Sequence, residues 1–173
     1  MINLFEISIN MLEEFIIFLF LTLYLGCKYS GIKKILGFLV SYFISFGIIT
    51  LMNSLYIYEG FLSLVFIGIY FLYALIFLRG DVYSKLFISG FINSIVYSLA
   101  LFSSLCVSLL FSGNNYELYD MTMDRVAAVI ISKSLLFIVC AILLKFRFCY
   151  IVKKKDVILL ITMPVIIELS TVG

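Results

Sequence analysis

The stretch ISINMLEEFIIFLFLTLYLGCKYSGIKK, residues 7–34, joins a mostly apolar run to a short connector that carries Lys28, Lys33 and Lys34. An apolar run of about 20 residues, rising about 1.5 Å per residue, crosses a hydrocarbon core of about 30 Å. The same unit recurs downstream. Arg79 and Lys85 mark the third connector, and Lys145, Arg147, Lys153, Lys154 and Lys155 the fifth, so ten of the twelve basic residues fall in alternate connectors. The connectors between them are acidic or uncharged. Because basic loops are kept on the cytoplasmic side during insertion, this alternation bears on orientation as well as span number.

Composition agrees with that reading. The chain is 65% hydrophobic and 13% charged, with a mean hydropathy of +1.25. A water-soluble chain of 173 residues could not hide so much apolar surface, so lipid is its expected solvent. The expected fold is all-α: a polytopic transmembrane helix bundle with spans at 7–25, 35–52, 61–78, 86–110, 126–144 and 157–173. The sixth, 17 residues long, is marginal. Basic connectors inside put the N-terminus outside, together with the connector bearing Glu59 and the one bearing Glu117, Asp120 and Asp124. Six spans that begin outside also end outside. The expectation is therefore a membrane domain over 1–173 that a seventh span would return to the cytoplasm. Residues 1–10 hold Glu6 and no lysine or arginine, so the first run reads as a retained span and not as a secretory signal.

Several function classes are disfavoured. A net charge of +2 is too small to suggest nucleic acid as a partner. With no histidine, and with Cys27, Cys106, Cys140 and Cys149 forming no CxxC pair, no metal or other cofactor is expected. No Gly-rich phosphate loop and no nucleophile–base pair is evident, so no enzymatic activity is expected of this chain. Tyr24, Tyr29, Tyr56, Tyr58, Tyr83, Tyr116, Tyr119 and Tyr150 lie near span boundaries, where their rings suit the headgroup level. Gly37, Ser41 and Ser45 on span two, and Gly90, Ser94 and Ser98 on span four, form stripes of small residues at four-residue spacing. Close helix packing within the bundle is the plain explanation for such stripes, and dimerisation the second.

The residues singled out for function are ionisable groups within spans. Glu13 and Glu14 lie six or seven residues into span one, and Lys133 lies seven residues into span five; both levels are about 10 Å below the outer surface. Glu168 on span six reaches a similar depth. A charge at a helix centre costs about 2.5–3.5 kcal/mol on insertion scales, so such groups face protein and pair. Lys133 is expected to pair with Glu13 or Glu14 where spans one and five pack, with Glu168 nearby. A salt bridge that orders the bundle is the plainer reading of this cluster. A ligand-sensing pocket comes next, and an ion pathway last, since the groups share one depth instead of forming a relay. Adjacent on a helix, Glu13 and Glu14 point about 100° apart and do not form a facing carboxylate pair.

Four segments resemble the membrane region of bacterial sensor histidine kinases of the accessory-gene-regulator type, the quorum-sensing receptors with a GHKL ATPase domain. They are Met11-Leu12-Glu13-Glu14-Phe15-Ile16, Leu78-Arg79-Gly80-Asp81, Ile131-Ser132-Lys133-Ser134-Leu135 and Leu160-Ile161-Thr162-Met163-Pro164. The resemblance spans essentially the whole chain and implies a multi-pass sensor in the bacterial cytoplasmic membrane. It implies a secreted peptide as ligand, a homodimer as the signalling unit, and a following cytoplasmic kinase that passes the signal through a two-component system. The chain departs from that pattern in having no phosphoacceptor histidine. The acidic outer connectors would suit a neutral or cationic apolar peptide, although basic residues being kept inside accounts for the same bias. An alternative is a small transporter subunit, the substrate-binding membrane component of an uptake system. That reading needs a polar pocket, which spans one to three, rich in Phe, Leu and Ile, do little to supply.

Overall fold

A computed structural model of the chain describes residues 4–53, 59–111 and 123–146. They form five α-helices: α1 Leu4–Leu25, α2 Ile32–Asn53, α3 Glu59–Phe77, α4 Val82–Phe111 and α5 Met123–Phe146. Helix is the expected answer for such runs, because in hydrocarbon every backbone N–H and C=O must find its partner within the segment. Four contain stretches long and apolar enough to cross a membrane: Ile7–Leu25, Ile32–Met52, Val82–Leu109 and Val126–Lys145.

These are five helices among the described residues, not the six spans expected from sequence. The expected span 157–173 lies outside them, as does its Glu168. The third expected span, 61–78, is also corrected. Its apolar stretch among the described residues is Leu62–Phe77, shorter than the other four. The connector that follows sets its C-terminal end one residue early. Leu78 leaves the helix to form an isolated antiparallel bridge with Cys27, and Gly80 then takes a φ of 104°, a left-handed conformation that ends helical propagation.

The other boundaries differ in the opposite direction: α2 and α4 begin earlier than the expected spans and take in Lys33, Lys34 and Lys85. Hydropathy marks where hydrocarbon ends, whereas backbone hydrogen bonding marks where a helix ends. At about 1.5 Å per residue, the 30 residues of α4 extend about 45 Å, beyond a core of about 30 Å. Asp81 caps this helix: its carboxylate accepts from the Ser84 N–H at 3.2 Å and the Ser84 hydroxyl at 2.8 Å.

Helix α1 sits at the centre. Ile17, Phe18, Phe20 and Leu21 are fully buried, and the core they anchor continues through Tyr70, Tyr73 and Ala74 of α3, Ile88 and Ile92 of α4, and Leu136 and Cys140 of α5. Phe18 meets Tyr73 at a centroid distance of 4.7 Å and Tyr70 at 5.8 Å. Helix α2 is the outlying element. It buries Tyr42, Ser45 and Ile49 but exposes Ile35, Leu36, Val40, Phe43, Ile44 and Leu51. Large apolar side chains exposed along whole helices suggest contact with lipid and a multi-pass membrane protein. Tyr29 and Tyr83 are exposed beside the connectors. Tyr56, Tyr58, Tyr116, Tyr119 and Tyr150 lie outside the described residues.

Candidate functional site

Glu13 and Glu14 occupy consecutive positions of α1 and turn to different neighbours. Glu13 takes the ion pair. Lys133 Nζ donates to Glu13 Oε2 at 2.5 Å, linking α1 to α5, with the two side chains only 17% and 14% exposed. Glu13 is the tenth of the 22 residues of α1 and Lys133 the eleventh of the 24 of α5, so the pair joins the two helices near their middles.

Glu14 is 1% exposed and meets hydroxyls. Ser45 Oγ of α2 donates to its Oε2 at 2.5 Å, and the Tyr70 hydroxyl of α3 donates to its Oε1 at 2.6 Å. Each oxygen of an ionised carboxylate thus has a donor; a protonated one would have to return a hydrogen to Ser45 or Tyr70. One dipeptide of α1 therefore holds α2, α3 and α5 at once. Aromatic rings frame it, with Phe15 edge-on to Phe38 at 5.9 Å and to Tyr42 at 6.3 Å. The Tyr42 hydroxyl donates to the Met11 carbonyl at 3.1 Å.

Two smaller polar contacts lie elsewhere in the bundle. Thr22 Oγ1 donates to the Phe18 carbonyl at 2.7 Å and also lies 2.6 Å from the Tyr73 hydroxyl. A hydroxyl carries one hydrogen, so Tyr73 is the donor in that second bond. Asn93 Nδ2 of α4 donates to Ser63 Oγ of α3 at 2.8 Å.

Of the four residues singled out from sequence, the structure brings Glu13 and Lys133 together and sets Glu14 beside them with other partners; Glu168 is outside the described residues. Sequence reasoning missed Ser45 and Tyr70. From sequence, Ser45 counts only as one of the small residues in its stripe. That stripe faces inward: a Cβ on Gly37 would come within 2.5 Å of the Phe77 ring, and Ser45 meets Glu14. In the second stripe Ser94 Oγ donates to the Gly90 carbonyl at 3.0 Å, and Ser98 is exposed. A signal for Tyr70 was available. Tyr70 and Tyr73 lie in mid-span, three residues apart on one helix face, where a phenol hydroxyl has no water to bond and must find a protein partner.

Chemically the site is a neutral ion pair beside a carboxylate held by two hydroxyls. No group of three or more His, Cys, Asp or Glu among the described residues is arranged to hold a metal ion. Comparisons with known protein families, with curated proteins and with solved structures found no match.

Proposed function

We propose that this chain is the membrane-embedded input domain of a peptide-sensing sensor kinase, passing ligand binding to a cytoplasmic GHKL kinase region. In this reading it lies in the bacterial cytoplasmic membrane with its N-terminus and acidic connectors outside and its basic connectors inside. It contributes no catalysis of its own and signals as a dimer.

The observation that carries the proposal is the linkage made by Glu13 and Glu14 within the segment Met11-Leu12-Glu13-Glu14-Phe15-Ile16. A sensor must convert a small change at one end of its bundle into a rearrangement at the other. Coupling of that kind runs through elements packed so that they move together. Here a single turn of α1 bonds to three other helices, so displacing any of them strains the same two carboxylates. The arrangement suits transmission better than transport, because the polar groups bond to each other at one depth instead of lining a path.

The test is a fusion of this chain to a GHKL kinase region in cells, with kinase output read against culture supernatants fractionated for secreted peptides. Some peptide fraction should change phosphorylation, and Glu14→Gln should shift basal output without loss of membrane-inserted protein. A fusion that inserts normally, yet whose output is unmoved by every fraction and by Glu14→Gln, would overturn the reading.

A further inference from the structure

Two carboxylates in the middle of α1 share one ammonium, and Lys133 gives it to Glu13. Glu14 is the more deeply buried of the two and is bonded by uncharged hydroxyls, Ser45 Oγ and the Tyr70 phenol. With both carboxylates ionised, the cluster would hold one uncompensated negative charge inside the bundle. The surrounding helices do little to offset it. Helix α2 brings Ser45 and Tyr42, the latter bonded to the Met11 carbonyl, and α3 brings Tyr70, with Tyr73 one turn further on bonded to Thr22. The mid-helix titratable side chain of α4 is Tyr97. The lysines of α2 and α4 lie in their first turns, at the connector end. Two hydroxyls return less than water gives an ionised carboxylate, so a buried acid without its own cation is neutralised by taking up a proton.

The site can take up that proton without orphaning a polar group. Ionised, Glu14 accepts from both hydroxyls. Protonated at Oε2, it donates to Ser45 Oγ, and Ser45 turns its own hydrogen to the Ser41 carbonyl one helical turn back. Thr22, Thr50, Ser89, Ser94 and Ser103 already bond the carbonyl four residues before them in this way. Tyr70 has no such alternative. Buried at 2% exposure on a rigid ring, it goes on donating to Oε1, the carbonyl oxygen of the acid. Ser45 is thus the adjustable partner and Tyr70 the fixed one. The proton comes from water and returns to water, and the O–H of Glu14 is the one bond made or broken.

We propose that Glu14 is a proton-binding site, with Ser45 exchanging between donor and acceptor as the proton leaves and binds. Occupied, it keeps the contact among α1, α2 and α3 electrically neutral. Empty, it leaves an anion there without a cation, so proton loss loosens the bundle at this level. The chain contains no histidine, the side chain that ordinarily titrates near neutral pH, so a response to pH in that range has to come from another group. Proton binding at Glu14 needs no peptide ligand and does not depend on the sensor reading.

The experiment is SDS titration of the whole chain in mixed micelles over about pH 5–8, an interval in which ordinary carboxyls are already largely ionised. An acid that keeps its proton in the folded bundle contributes stability that is lost as pH rises through its folded titration. Wild type should therefore weaken across the interval, by up to about tenfold in the unfolding equilibrium constant per pH unit beyond the titration. The amide of Glu14→Gln can donate to Ser45 and accept from Tyr70 as the acid does. That variant should match wild type at the acid end and show little dependence on pH. A wild type no more sensitive to pH than Glu14→Gln would overturn the proposal. So would a wild type that gains stability over Glu14→Gln as pH rises, since the anion would then be the form the bundle favours. Should Glu14→Gln fail to insert, infrared spectroscopy reads the same proton. A protonated-carboxyl C=O band at about pH 6 that shifts in Ser45→Ala is expected. No such band, or one that Ser45→Ala leaves unmoved, would overturn the assignment.

Discussion

Midway along α1, Glu13 meets Lys133 and Glu14 meets two hydroxyls, so each buried carboxylate has its own protein partners. Where α1 ends, backbone pairing of the connectors brings Lys28 and Arg79 to one end of the bundle, with Asp81 capping α4 and Lys85 in its first turn. Both regions are built from side chains far apart in sequence, yet their charge balance is opposite. The difference follows from depth. A lone charge inside the bundle has neither water nor counter-ions, and is tolerated only with a protein partner. Cations at the end of a helix that outruns the hydrocarbon can take theirs from headgroups or solution. The middle of the bundle must therefore be complete by itself, whereas the end can draw on partners from outside.

The largest effect should come from breaking the inner pair. Lys133→Met leaves Glu13 buried without its cation and should lower stability by about 2–3 kcal/mol, measured as the shift in unfolding by SDS titration in mixed micelles. Adding Glu13→Gln should recover most of that loss, since removing both charges leaves no uncompensated one. An unfolding midpoint for Lys133→Met equal to wild type would show that the ion pair contributes nothing.

An intermediate effect is expected at Glu14. Tyr70→Phe removes one of its two donors while keeping the ring against Phe18, and should cost about 1 kcal/mol in the same titration. A cost near zero would mean that Ser45 alone suffices.

At the connector end the expected change is smallest. Asp81→Ala removes the cap of α4 and should cost about 0.5 kcal/mol, the low end for an exposed N-cap. Its hydrogen bonds to Ser84 hold the Asp81 carboxyl below the usual carboxylate range. A carboxyl whose folded pKa is depressed contributes stability above its unfolded pKa, and that contribution is lost as pH falls through the folded value. The difference between wild type and Asp81→Ala should thus be present at neutral pH and vanish in strong acid. A difference independent of pH would point to lost packing in place of the charged cap.

Legibility from sequence also divides along these regions. The five described helices were visible as apolar runs, since the requirement for internal hydrogen bonding in lipid acts on each segment alone. Their ends were less visible. Lysine reads as a connector residue on a hydropathy scale, yet Lys33, Lys34 and Lys85 are helical, and α3 stops at Phe77 because of a bridge to a residue fifty positions away. At the inner site, Glu13, Glu14 and Lys133 stood out because charge is rare in a span. Ser45 and Tyr70 did not, because serine passes for a packing residue and tyrosine for a membrane anchor.

Composition and loop charge by themselves pointed to a chain of apolar helices suited to lipid, with Glu13, Glu14 and Lys133 set within them. Those are properties of single segments against a solvent. Only tertiary structure decided that α1 is the central helix, that its adjacent carboxylates serve three different neighbours, and that two connectors pair to concentrate cations at one end. Such choices depend on which faces meet across the bundle, and apolar runs of similar length and composition carry almost no record of that.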